Sequence, residues 1–99
     1  MKTRPKLSID SKAKSRFWKV VEECLVKLHH LKPQEAQSKT RGFRAAIESD
    51  KEKYGDMIYH DEPFYVACDL ADLVEVPNQE QLLSKTREEY SAILHKIGW

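Results

Sequence analysis

Hydrophobic positions recur along this chain at helical rather than strand spacing. Phe17, Val21, Cys24, Leu28 and Leu31 form one stripe, flanked by Trp18, Val20 and Leu25, which predicts a first helix from about Ser11 to His30. The opposite face carries Lys12, Arg16, Lys19, Glu23 and Lys27, the last three spaced to pair at i, i+4. Leu31-Lys32-Pro33 is a break and a new start, with Pro33 near a first helical position. A second helix follows over roughly Pro33–Ser49. Ala36, Thr40, Phe43 and Ile47 make its inner stripe, Lys39 and Ala46 flank it, and Arg44 and Glu48 are spaced to pair outside. So short a connection predicts an antiparallel helical hairpin.

The polar stretch Asp50–Asp56 reads as a loop, and Met57-Ile58-Tyr59 as a short extended lead-in. The densest mixture of aromatic, acidic and small apolar residues comes next, over Ile58–Asp72. Asp61 or Glu62 is placed to cap a third helix, with Pro63 in its first turn. On that helix Phe64, Ala67, Cys68 and Ala71 share one face, Val66, Leu70 and Leu73 another, and Asp61, Tyr65, Asp69 and Asp72 a third. Apolar on two sides, it belongs at the centre of the fold. Pro77 then reads as a stop, and Asn78 as a new N-cap with Gln81 at capping-box distance. The last helix runs from about Gln79 to Lys96, presenting Leu82, Leu83, Thr86, Tyr90, Ile93, Leu94 and Ile97 on one broad face. Gly98 is a natural C-cap, and Trp99 is expected to fold back onto the core.

The pattern therefore predicts a single all-α domain over 11–99, a compact bundle of four main helices: a helical hairpin, a short central helix and a long C-terminal one. Residues 1–10, with Lys2, Arg4 and Lys6 and little apolar content, read as a flexible basic arm. Ninety-nine residues suit one domain. No apolar run approaches the ~18 residues of a spanning helix, and the opening residues lack the apolar run of a secretory signal. Cys24 and Cys68 stand alone on two different predicted helices. That usage suits free, buried thiols in a reducing cytoplasm.

Charge changes the picture. Residues 1–53 hold 14 Lys/Arg against 7 Asp/Glu, a net of +7, whereas residues 54–99 hold 3 against 9, a net of −6. A chain of overall charge +1 thus has a basic half and an acidic half.

Chemistry adds little. His60, Asp61 and Glu62 are consecutive potential ligands, but neighbouring side chains diverge, and no HxxxH, HExxH or CxxC spacing occurs. His29 and His30 point about 100° apart on a helix and are better placed to close its negative end than to share a metal. A Cys68–His60 nucleophile pair spans more than two helical turns, about 12 Å, and Cys68 falls on an apolar face where a thiol is inert. The three glycines are isolated, so there is no phosphate-cradling loop. The expectation is a protein that is not an enzyme, without cofactor or metal.

The segments FWKVVEECL, IYHDEPFYVACDLA and YSAILHKIGW resemble those of small bacterial hypothetical proteins with no assigned function. The resemblance implies a bacterial cytoplasmic origin and carries no activity with it. Two readings of function remain. The first is a protein–protein interaction or regulatory module acting through opposite charged faces, with Asp61, Tyr65, Asp69 and Asp72 as an acidic docking strip for a protein partner or a second copy. The alternative is nucleic-acid binding through the basic arm with Lys12, Arg16, Lys19, Lys39 and Arg41.

Overall fold

A computed structural model describes residues 11–49 and 57–99. The expected basic arm over 1–10 and the whole of the loop expected over Asp50–Asp56 lie outside the described residues. The elements are α1 (Ser11–Lys27), α2 (Pro33–Ser49), a 3-10 helix (Met57–His60), α3 (Pro63–Leu70), α4 (Val76–Lys85) and α5 (Arg87–Ile97). The class is all-α, with no strand among the described residues. Among the described residues there are five α-helices rather than the four main ones expected.

The extra helix comes from a break inside the expected C-terminal one. Thr86 adopts φ −114°, ψ 20°, and its hydroxyl donates to the Leu82 carbonyl at 2.7 Å, which its own backbone N–H also reaches at 2.9 Å. A β-branched hydroxyl bonding back four residues competes with the helical ladder and bends it. The upstream boundary also moves. Glu75 is the N-cap, and Pro77 sits in the first turn of α4, where a missing N–H is cheap, so it starts the helix rather than stopping one. Asn78 is inside the helix and donates to the Glu75 carboxylate at 3.1 Å.

The hub is α1, not α3. α1 packs against α2, α3 and α5, and Phe17, Val20, Val21, Cys24 and Leu25 have no exposed surface. Its buried face meets three helices, whereas α3 lies chiefly on α1 and keeps Asp69 in solvent. An aromatic cluster consolidates this centre. Phe17 meets Trp18, Tyr59 and Trp99 edge to face at 5.1, 5.1 and 5.6 Å. The Trp18 indole N–H donates to the Tyr59 hydroxyl at 3.0 Å. Tyr59 is buried, which curls the expected extended lead-in into the 3-10 helix. Trp99 does fold back, yet stays 39 % exposed.

Helix ends differ in how far they were foreseeable. Gly98 caps α5 at φ 88°, and the Trp99 N–H reaches the Leu94 carbonyl at 3.0 Å. α1 stops at Lys27, earlier than expected. His29 and His30 form the exit turn instead of the last helical residues, with His30 at φ 62°. Along the surface Arg44 and Glu48 pair at 2.9 Å as their spacing predicts. Glu23 turns to Lys96 of α5, at 3.4 Å, rather than to Lys19 or Lys27.

Candidate functional site

α3 begins with Glu62 at the N-cap and Pro63 inside the first turn. The Glu62 side chain does not cap its own helix. It accepts the Tyr90 hydroxyl at 2.6 Å, and the same hydroxyl oxygen accepts the Phe64 N–H at 3.3 Å. A tyrosine of α5 thus does the capping work, satisfying one of the orphan donors of α3. Tyr90 is 7 % exposed and stacks edge to face on Phe64 at 5.3 Å. Burial, and then the Glu62 carboxylate on its hydroxyl, push the Tyr90 phenol well above its ordinary range.

The far end of α3 closes in a Schellman motif. Asp72 takes the left-handed position at φ 67°, the Leu73 N–H reaches the Cys68 carbonyl at 2.9 Å, and the Asp72 N–H reaches that of Asp69 at 3.1 Å. Gln79 of α4 locks this end. Its buried amide donates to Asp69 Oδ1 at 2.9 Å and to the Leu73 carbonyl at 2.7 Å.

The four expected strip residues are distributed along this edge. Asp61 precedes the helix, Tyr65 and Asp69 are a helical turn apart on it, and Asp72 follows it. The three aspartates are exposed, and Tyr65 is half-buried, its ring edge-on to Phe64 at 5.4 Å. Among the described residues no lysine or arginine pairs with Asp61, Asp69 or Asp72. Beyond Asp72 the connection to α4 exposes two apolar side chains, Val74 at 64 % and Val76 at 60 %.

Beside the edge runs an open groove of about 510 Å³, lined by Glu62 and Tyr65, by Leu83 of α4, and by Arg87, Tyr90, Ser91 and Leu94 of α5. The sequence placed Tyr90 on the apolar face of the last helix and offered Glu62 as a cap, but nothing in it brought the two together with Arg87. Their convergence depends on contacts between elements far apart in sequence.

The basic candidates lie on α1 and α2. Lys12, Lys19 and Arg41 are exposed, and Lys39 is half-buried. Arg16 is half-buried, with its Nε enclosed and without a hydrogen-bond partner, and its side chain runs close to Gly98 at the end of α5. None of the five pairs with the acidic edge.

Both thiols are free and buried. Burial first, then the neighbouring Cys68 and Glu23, push Cys24 up to about 12; burial first, then Asp69, does the same for Cys68. Neither is a thiolate at neutral pH, so neither is a ready nucleophile. The His60 side chain, on which the cysteine pairing and the consecutive-ligand reading both relied, lies outside the described side chains. Among the described residues no group of three or more His, Cys, Asp or Glu converges to hold a metal ion. No helix there is long and apolar enough to cross a membrane.

Comparison with protein-family models, curated proteins and solved structures yields no match to this chain.

Proposed function

We propose that this chain is a protein–protein interaction or regulatory module of the bacterial cytoplasm, docking through the acidic edge of Asp61, Tyr65, Asp69 and Asp72. The observation that carries this reading is the edge's charge: three exposed carboxylates stand around a half-buried tyrosine, and among the described residues no lysine or arginine pairs with them. Surface charges left unpaired by the fold are free to steer an oppositely charged partner. Tyr65 and the exposed Val74 and Val76 supply the apolar area that such steering needs to become affinity. The basic set on α1 and α2 supplies charge of the other sign, fitted to orient the partner or a second copy. The role is non-enzymatic and needs no cofactor.

The test is association. Asp61→Lys and Tyr65→Ala, made with helicity and melting temperature unchanged, should abolish a co-purifying partner or a homodimer. Undiminished association in both variants rejects the reading.

Nucleic-acid binding is the second reading, favoured by the exposure of Lys12, Lys19 and Arg41, which have no ion-pair partner among the described residues. It is weakened by Arg16, whose half-buried guanidinium is directed at the end of α5. Binding to duplex and single strands across a salt series decides it, because phosphate contacts must weaken steeply as salt rises. Retention that is absent or insensitive to salt removes it.

A further inference from the structure

The groove between the start of α3 and α5 has a polar end built before any partner arrives. We propose that it receives one lysine or arginine side chain of the docked protein, the cationic head on Glu62 and the stem along Leu83 and Leu94. This deepens the docking reading and rests on it. Glu62 stands at an N-cap position yet spends its side chain on Tyr90, whose hydroxyl fixes Oε1 at 2.6 Å while itself held by the Phe64 N–H at 3.3 Å. Oε2 has no hydrogen-bond partner among the described residues. A carboxylate positioned by a buried side chain loses little freedom when a cation arrives, so more of the interaction appears as affinity.

The surroundings select the class of side chain. Tyr65 provides an aromatic wall beside the carboxylate, the combination that suits an ammonium or guanidinium. Leu83 and Leu94, both half-buried, offer an apolar floor for methylenes. Arg87 lines the same groove without pairing with Glu62, and no other described lysine or arginine pairs with that carboxylate. Asp61 next to Glu62 adds to the attraction for a cation, and Arg87 is left to meet the partner's backbone carbonyl.

The experiment titrates the full isotope-labelled chain with Nα-acetyl-lysine amide, Nα-acetyl-arginine amide, Nα-acetyl-norleucine amide and Nα-acetyl-glutamate amide, reading backbone amide shifts. The two cationic probes should move Leu83, Arg87, Ser91 and Leu94 saturably, ahead of norleucine. Glu62→Gln, which keeps an oxygen for the Tyr90 hydroxyl, should weaken them at least about tenfold, the loss of one charge-assisted hydrogen bond. Glu35→Gln on the remote α2 should not. The proposal is overturned by equal binding of norleucine, by shifts confined to the Asp69–Glu75 surface, by insensitivity to Glu62→Gln, or by a preference for the glutamate probe that Arg87→Ala removes. If Glu62→Gln has no effect while Asp61→Lys still abolishes association, the groove fails and the docking edge stands. If Asp61→Lys leaves association intact, the edge itself fails.

Discussion

The Tyr90 hydroxyl donates to Glu62 across 28 positions of sequence, at 2.6 Å, and by the same oxygen accepts the Phe64 N–H, the first that α3 has to offer after Pro63. One side chain of α5 therefore sets both the start of the acidic edge and the attitude of the carboxylate beside it. Tyr90→Phe keeps the ring packing on Phe64 and removes only this bridge. The expected cost is about 1–3 kcal/mol, because the Phe64 N–H loses its acceptor. Urea unfolding should show a lower midpoint with an unchanged slope.

Gln79 holds the other end of α3 by donating two hydrogen bonds to oxygen acceptors. Gln79→Glu replaces the donor with a carboxylate facing Asp69 and the Leu73 carbonyl. The loss at neutral pH should be roughly 1–3 kcal/mol. The introduced carboxyl gains a raised folded-state pKa, so its stability is present below its unfolded value and lost as pH rises. Thermal melts of the variant should therefore recover toward wild type as pH falls from neutral toward about 4, the recovery being complete there.

Asp72 does a glycine's work at φ 67° and places a negative charge at the negative end of α3. Asp72→Gly relieves both, against the greater freedom glycine brings to the unfolded chain. A net stabilisation of roughly 0.5–1 kcal/mol is expected, together with weaker partner association. Calorimetry combined with a binding assay separates the two effects.

The thiols predict an alkaline limit. Cys24 and Cys68 have folded values raised from 9.0 to about 12, so their contribution is complete below pH 9 and is lost as pH rises toward 12. Tyr90, also raised, adds to the loss above its unfolded value of 10.0. On the acid side His29 is depressed by burial and by His30, its Nε2 enclosed without a partner. Its contribution is present above 6.5 and is lost as pH falls below that value. Melting temperature against pH should fall on both flanks, less steeply at high pH in Cys68→Ala and at low pH in His29→Asn. Thiol labelling at pH 8 should wait for unfolding.

The first two helices, which pack on each other, were legible because their determinants are local, an apolar stripe on α1 and Pro33 after a break, and the end of α5 was marked in the same way by Gly98 after the last periodic residue. The burial of both cysteines followed from the faces they occupy. Three features were not legible, for one reason. The Thr86 break, the Gln79 clamp and the Tyr90 cap depend on which acceptor a side chain finds in three dimensions, and helical spacing carries no record of that. The identity of the hub failed on a related point. Two apolar faces on α3 suggested centrality, but the 17-residue α1 is long enough to meet three helices, whereas the 8-residue α3 lies chiefly on α1. For the acidic edge, spacing named the residues and not their arrangement, since Asp61 and Asp72 flank α3 instead of lying on it.

The docking claim is tested most directly by the salt dependence of association, measured by sedimentation for wild type and for Asp61→Lys with Tyr65→Ala. Wild type should bind its partner or a second copy, more weakly as ionic strength rises, and the double variant should remain alone at every salt concentration with its fold intact. Equal association of the two proteins across the series would contradict it.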